Sequence, residues 1–330
     1  MNALRPGLSA VVPAYNSELS LPELVRRLEP VLKDASPDYE LILVDDGSRD
    51  RTWQTIEQLA REHDWVKGVH LMRNYGQHNA LLCGIRLARY ETTVTIDDDL
   101  QHPPEEIPKL LERLNAGADV VYGTPAQEQH GLWRDVATQV TKIALQSAMG
   151  APIARKAGAF RAFRTQLRDA FAGYDGPYVS MDVLLTWSTT KFDAVSVKHE
   201  PRTQGTSNYT FRKLVVHALN MITGFSTWPL QVASLIGFLF TVMGTLVLIY
   251  VVIAYLIHGG TVPGFSFLAS LIAIFSGAQL FSLGIIGEYL ARMHARSMQH
   301  PTYAVREVTG HSKTHAAVAA VVGAVTKRSP

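Results

Sequence analysis

The chain has 330 residues, with 31 Lys and Arg against 29 Asp and Glu, and a net charge of +2 gives no footing to a nucleic-acid binder that relies on a strongly basic surface. Apolar residues make up 47% and charged residues 18%, below the level of about a quarter usual in soluble proteins, so a long uncharged stretch is expected. The single cysteine, Cys83, excludes an intramolecular disulfide framework and a cysteine-built zinc cluster, and the opening MNALRPGLSAVVPAYN lacks the pattern of a secretory signal.

From the amino terminus the pattern alternates between short apolar runs and longer amphipathic ones. Strands are expected at Ser9–Pro13, Glu40–Val44, Val66–Met72, Thr92–Ile96, Asp119–Tyr122 and Ala194–His199. Helices are expected between them, at about 21–33, 52–62, 78–88, 105–115 and, longer, 132–149. The strand runs are nearly continuous in apolar residues, as in a sheet covered on both faces, so the fold class is α/β with a mainly parallel sheet flanked by helices. In such sheets ligands bind beyond the carboxyl ends of the strands.

Three of those ends carry polar constellations: Val11-Val12-Pro13-Ala14-Tyr15-Asn16, Leu43-Val44-Asp45-Asp46-Gly47-Ser48, and Ile96-Asp97-Asp98-Asp99-Leu100-Gln101. Side chains alternate along an extended strand, so Asp97 and Asp99 face one way and Asp98 the other. Two carboxylates on one side repel unless a cation lies between them, and a hard divalent ion with oxygen ligands, Mg²⁺ or Mn²⁺, is the natural occupant. Gln101 offers a further neutral oxygen. Either acidic run alone is more simply a capped turn or a solvated loop; their coincidence at strand ends of one domain favours a site. The dinucleotide fingerprint G-x-G-x-x-G, the phosphate loop G-x-x-x-x-G-K-[ST] and the elbow G-x-S-x-G are all absent.

The missing charges lie in the last third, where residues 214–287 contain no Asp, Glu, Lys or Arg. Two segments there, about 229–257 and 265–290, reach the length of about 20 apolar residues that a bilayer crossing needs. Arg212 and Lys213 precede them, Arg292 and Arg296 follow, and the turn between has no cation, which puts both ends on the cytoplasmic side of an inner or plasma membrane. The expected organisation is a cytosolic catalytic domain (1–205), an interfacial amphipathic helix (206–227), a two-helix transmembrane hairpin (228–291) and a cytosolic tail (292–330).

The motifs VVPAYN (11–16), LVDDGS (43–48), RNYGQH (73–78), DDDLQHPPEEIP (97–108), Arg202-x-x-Gly205-x-Ser207-x-Tyr209 and Gly287-Glu288-Tyr289-Leu290-x-Arg292 occur in this order. Together they make the chain resemble family 2 glycosyltransferases of the GT-A fold, in the branch that uses polyprenyl phosphate as acceptor, over about residues 8–305. The resemblance implies a nucleotide-diphospho-sugar transferase that moves one sugar, with inversion, from a nucleotide-sugar (a UDP-sugar favoured) to a polyprenyl (undecaprenyl) phosphate at the cytosolic membrane face. It implies that Pro13 and Tyr15 line the base pocket, that Leu43 and Asp45 touch base or ribose, and that Asp97 and Asp99, with Gln101, hold Mg²⁺ or Mn²⁺. It places the backbone of Asp98 near the nucleotide, Arg202 on phosphate, and Arg202 with Ser207 at the acceptor phosphate. The implied partners are the nucleotide-sugar, the lipid acceptor and the bilayer, with no nucleic acid; a homo-oligomer is left open.

The chain also departs from that family pattern. Ser17 stands where Glu is common, Pro125 where some members have Arg, and Asn208 where Lys is usual, which removes one phosphate-binding cation; Arg155, Lys156 and Arg161 are the nearby candidates to replace it. Two other readings remain: a processive polysaccharide synthase, which would carry a Gln-x-x-Arg-Trp motif that none of the five tryptophans supplies, and a membrane-tethered nucleotide-sugar-binding protein without turnover.

Overall fold

The computed structural model describes residues 4–125, 157–176, 179–200, 227–258, 264–298 and 300–310. All six expected strands form: β1 (Arg5–Ala14), β2 (Tyr39–Asp45), β3 (Val66–Leu71), β4 (Tyr90–Thr95), β5 (Val120–Pro125) and β7 (Phe192–Val197). Two more strands, β6 (Arg161–Arg164) and β8 (Val305–Thr309), have no counterpart in the sequence reading. They join one eight-stranded sheet of order β7-β5-β6-β4-β1-β2-β3-β8. Strands β4, β1, β2 and β3 run parallel, as do β5 and β7, whereas β6 and β8 are antiparallel to their neighbours.

Four of the expected helices are present as α1 (Leu21–Ala35), α2 (Thr52–Glu62), α3 (Gln77–Leu87) and α4 (Ile107–Asn115), the last preceded by a 3₁₀ turn at Pro104–Glu106. A short α5 spans Met181–Thr186. Alternation along β1 assigns the two faces: Leu8, Ala10 and Val12 pack under α1, α2 and α4, while Val11 packs under α3 and α5. Helix α3 comes unusually close to the sheet, because a Cβ on Gly84 would overlap Val11 Cγ1 and lie 3.1 Å from Val44 Cγ2. That approach brings the amino end of α3 to the carboxyl edge of the sheet. The helix expected over 132–149 lies outside the described residues, as does the interfacial helix up to residue 226.

At the opposite, amino end of the strands a buried charge cluster ties the parallel strands together. Glu40 is fully buried and accepts hydrogen bonds from Ser9 Oγ (2.7 Å), Arg89 Nε (2.9 Å), the Arg89 backbone N–H (2.7 Å) and Lys67 Nζ. Burial alone would raise its carboxyl pKa, but Lys67 and Arg89 outweigh that and hold it below the ordinary range.

The uncharged stretch and the ten residues after it form two long helices, α6 (Trp228–His258) and α7 (Phe265–Ser297), in contact through Phe240 and Phe275 at 5.5 Å between ring centroids. The segments long and apolar enough to cross a membrane are Pro229–Ile257, of mean hydropathy 2.5, and Ile274–Ser297, of mean hydropathy 1.3. Leu235, Leu246, Tyr250, Leu256, Leu280 and Leu283 point outward, which a soluble core helix would not tolerate. Helix α7 continues about two turns beyond the expected end at Leu290, through the helix formers Ala291, Arg292, Met293 and Ala295. The following segment does not leave the domain as a plain tail. Ala304 accepts a hydrogen bond from the Met72 N–H (2.8 Å), Tyr303 is buried beside Arg86, and Val305 begins β8 opposite Leu71. Its β-branched residues Val305, Val308 and Thr309 suit the edge they cover.

Candidate active site

The loops after β1, β2, β3 and β4 meet at the carboxyl edge of the sheet around a cleft of about 270 Å³, with Pro13, Tyr15, Asp46, Gln77 and Asp97, Asp98 and Asp99 in its walls. Left-handed backbone shapes all four of these loops, at Asn16, Gly47, Gly76 and Leu100. Asn16 has φ 56°, a conformation asparagine tolerates, and locks the first loop to the second: its N–H donates to Ser48 Oγ (2.9 Å) and its Oδ1 accepts from the Arg49 N–H (2.9 Å). Leu100, at φ 59°, is a branched residue in a strained conformation directly behind the three aspartates, where such strain commonly marks function. Gly47, at φ +66°, is required as glycine, because a Cβ would meet the backbone of Arg73 and Asn74 at 2.5–2.8 Å.

Each acid at this edge has its own set of donors. Asp97 Oδ1 accepts from Gln77 Nε2 (2.6 Å), and burial, then Asp99 and Asp98, push its carboxyl pKa up to about 7 against the pull of Arg161. Asp98 Oδ2 accepts from Ser17 Oγ and from the Tyr15 N–H (3.3 Å); burial raises this carboxyl as well. Asp99 Oδ1 accepts from the Gln101 N–H (3.1 Å). Asp46 bridges to the third loop, taking the Tyr75 N–H on Oδ1 (2.7 Å) and the Gly76 N–H on Oδ2 (2.8 Å), and burial pushes it up to about 6. His102, stacked on Phe160 and against His199, is driven by burial down to about 4 and is neutral at physiological pH.

The structure thus brings Pro13, Tyr15, Asp97, Asp98 and Asp99 together around one cleft. It does not bring Leu43 or Asp45 to its walls. Leu43 is fully buried in the core facing α1 and α2. Asp45 is fully buried too, with Oδ1 accepting from the Ser48 N–H (3.0 Å) and hydroxyl, and Oδ2 3.5 Å from His70 Nε2. The acid of this pair that reaches the cleft is Asp46, which the sequence reading passed over; the strand ends at Asp45, and the next residue turns out to the edge. Gln77 was likewise missed, being one member of the RNYGQH run with nothing local to mark it. The side chain of Gln101 is not among the cleft walls. Arg202, Ser207, Arg155 and Lys156 lie outside the described residues. Arg161 is no free phosphate ligand: it is 1% exposed, paired with Asp182 and bonded to Thr95 Oγ1 (3.1 Å), beneath the acids.

A divalent cation fits this donor set. Among the described residues no group of three or more His, Cys, Asp or Glu forms a ready metal cage. Asp97 and Asp99 nevertheless line one cleft, where burial first and then the neighbouring Asp99 and Asp98 raise the Asp97 carboxyl. Hard ions held by one or two carboxylates and completed by ligand oxygens need no more than that.

Comparison with known proteins gives one family, two relatives and a likeness of fold. The profile of Glycosyl transferase family 2 matches residues 9–171. The undecaprenyl-phosphate 4-deoxy-4-formamido-L-arabinose transferase of Pseudomonas aeruginosa (strain LESB58) is 34% identical over 304 residues, covering 91% of this chain and 90% of that protein. The enzyme of the same description from Photorhabdus laumondii is 33% identical over 93% of this chain and 96% of its own. A solved structure of a mycobacterial protein, 19% identical, superposes on 66% of this chain and 73% of its own with a TM-score of 0.50, a likeness of fold alone.

Proposed function

The chain belongs to glycosyl transferase family 2, with the GT-A fold and two apolar carboxyl-terminal helices, and from that membership we propose that it transfers a single sugar from a nucleotide-sugar, UDP-linked by preference, to undecaprenyl phosphate. The observation that carries the reading is the conjunction, in one chain, of an aspartate-walled cleft at the carboxyl edge of the sheet and two helices with outward apolar faces. A water-soluble acceptor would need no such helices; a polyprenyl chain keeps its phosphate at headgroup level, where this arrangement would hold the cleft. In this topology α6 and α7 cross the membrane and the catalytic domain faces the cytoplasm.

The chemistry needs little from a protein base. A phosphomonoester has a second pKa of about 6, so the acceptor oxygen is already largely anionic at neutral pH. That oxygen forms the new bond to the anomeric carbon while the bond to the nucleoside diphosphate breaks, and one in-line displacement inverts the centre. Tyr15 and Pro13 would wall the base, and Asp97 and Asp99 would hold Mg²⁺ or Mn²⁺. When bound, that ion supplies Lewis-acid stabilisation of the departing diphosphate. Gln77 orients Asp97 through its 2.6 Å hydrogen bond, and Arg202 would add positive charge at the phosphates. Holding both reactants in one geometry accounts for most of the expected acceleration.

The test is a panel of nucleotide-sugars incubated with a short polyprenyl phosphate and Mg²⁺ or Mn²⁺ in detergent, followed by mass analysis of the lipid. A mass increase of one sugar is expected. A lengthening polymer selects the processive alternative, and no product with any donor while nucleotide still binds selects a protein without turnover.

A further inference from the structure

Asp98 is the acid of the triplet whose neighbours differ most from a metal ligand's. Its Oδ2 receives two donors from the first loop, the Ser17 hydroxyl and the Tyr15 N–H at 3.3 Å. Ser17 is 7% exposed, its Oγ accepts from the same Tyr15 N–H (3.1 Å), and its own N–H donates to Thr52 Oγ1 (2.7 Å), which in turn donates to Asp50. The loop after β1 and the loop after β4 therefore meet at one carboxylate oxygen, and Ser17 ties the first of them to the start of α2. Tyr15 itself is 42% exposed and stands in the cleft wall, on backbone that runs straight into the left-handed Asn16. Its backbone N–H is held by both Ser17 Oγ and Asp98 Oδ2, and these bonds fix where the ring stands.

We propose that Asp98 is a positioning residue, clasping the Tyr15–Ser17 loop to the aspartate triplet so that the Tyr15 wall of the cleft is set for the donor nucleotide, and that its carboxylate is committed to this clasp and not to a metal ion. The inference rests on the nucleotide-sugar reading of the cleft. It assigns the side chain of the middle aspartate a role in donor affinity, separate from the roles of Asp97 and Asp99 on either side.

The role separates cleanly from a charge or ligand role through the amide variant. An asparagine can present its Oδ1 to both donors, so Asp98→Asn keeps the clasp, whereas Asp98→Ala loses it; a metal ligand or a needed charge would be lost equally in both. For the full-length protein in detergent, Asp98→Ala should raise the donor KM and the calorimetric Kd for UDP roughly tenfold, and Asp98→Asn no more than about threefold, with kcat changed less than either constant. Ser17→Ala removes the hydroxyl half of the clasp and leaves the Tyr15 N–H on Asp98, so it should raise the same two constants by no more than Asp98→Ala does, and the double variant should be no worse than Asp98→Ala alone, since the Ser17 hydroxyl acts through Asp98. Equal losses in Asp98→Asn and Asp98→Ala, additive losses in the double variant, or an unchanged KM in Asp98→Ala would overturn the proposal. Thermal midpoints monitor folding, and Ser17→Ala, which removes a single hydroxyl, keeps the test open if Asp98→Ala does not fold. If the wild-type protein neither transfers sugar nor binds UDP, the functional reading has failed; if it does both and the Asp98 series behaves otherwise than stated, only the clasp has.

Discussion

Replacing Asp46 by asparagine sets stability against function in a way the structure lets one work out. Asp46 is 3% exposed, and its carboxyl is pushed up to about 6 from an ordinary value of 3.8, by burial first, with the N–H groups of Tyr75 and Gly76 pulling the other way and Asp45 adding to the rise. A carboxyl raised in the fold opposes folding when ionised: its destabilising effect is complete above about pH 6 and gone below about pH 4. Two pK units correspond to about 3 kcal/mol, an upper figure for a group this buried. Asparagine resembles the protonated acid, so Asp46→Asn should be more stable than wild type at pH 7.5, by about 1–3 kcal/mol or roughly 3–8 °C in thermal midpoint, and the gap should close towards pH 4.5. Locally the change is unfavourable. The ionised carboxylate serves two backbone N–H groups at 2.7 and 2.8 Å, and an amide has one oxygen for the two. The loop it anchors carries Asn74 and Gly76, both cleft-lining, into Gln77. Loosening it by about 1.4 kcal/mol would raise the donor KM about tenfold. Thermal unfolding in detergent across pH 4.5–8, with donor KM measured at pH 7.5, checks both halves. A variant less stable than wild type at pH 7.5, or a stability gap that does not narrow on acidification, refutes the burial argument; a more stable variant with unchanged KM refutes the anchoring.

Other outcomes follow from the same geometry. Asp99→Asn should lower turnover by at least about a hundredfold, the scale of losing a charge-stabilising group in an active site, and an unchanged rate in lipid-product assays removes Asp99 from the site. UDP titrated calorimetrically into chelator-treated protein should bind at least about a hundredfold more weakly than with Mg²⁺ or Mn²⁺ restored; equal affinity refutes a metal-bridged donor. Glu40→Gln leaves Lys67 and Arg89 facing a neutral amide and should cost about 3–5 kcal/mol of stability at pH 7.5. Because the Glu40 carboxyl is lowered in the fold, its contribution is present above about pH 4.5 and lost as acid takes the pH through that lowered value, so the wild-type advantage should shrink on acidification. An advantage that grows in acid would contradict the pairing.

What the sequence disclosed, and what it withheld, divides by the range of the interactions involved. Apolar runs such as Leu41–Val44 announce strands because burial on both faces selects β-branched and aliphatic residues locally, and the triple aspartate stands out because like charges in a row are unusual beside such a run. β6 was hidden. Arg161-Ala162-Phe163-Arg164 reads as a charged loop until Asp182, twenty-one positions on, is seen to neutralise Arg161 inside the protein. β8 was hidden because Val305–Thr309 is five residues long and gains its meaning only from the open edge of β3. Within the site, residue type was legible and partnership was not. Gln77 reaches Asp97 across 20 positions and Ser17 reaches Asp98 across 81, so the donors that decide which acid does what come from loops that sequence proximity does not connect. The pair Asp45-Asp46 shows the limit most sharply: the sequence reading chose Asp45, and only the end of β2 decides that Asp45 caps the turn inside while Asp46 faces the cleft.

The distribution of charge around the cleft also constrains how an anionic donor could ever bind there. Among the described residues, its walls include four aspartates, Asp46, Asp97, Asp98 and Asp99, and no lysine or arginine. Donors to these acids include a neutral amide, a hydroxyl and backbone N–H groups, and Arg161, whose charge acts on Asp97, is already paired with Asp182. A diphosphate brought into such walls meets repulsion of about 3 kcal/mol for each pair of unit charges about 5 Å apart at an effective dielectric of about 20. Two such pairs would already consume most of a micromolar binding free energy, which is about 8 kcal/mol. The same acids become an asset once a divalent cation sits between them and the phosphates, because every repulsive pair is then matched by two attractive ones at shorter range. The Asp97 carboxyl, poised near 7 by burial and by its two acidic neighbours, is a group whose ionisation the arrival of such a cation would favour. If the proposed ion is what joins these acids to a diphosphate, the chelator experiment, more than any single substitution, bears on the whole reading.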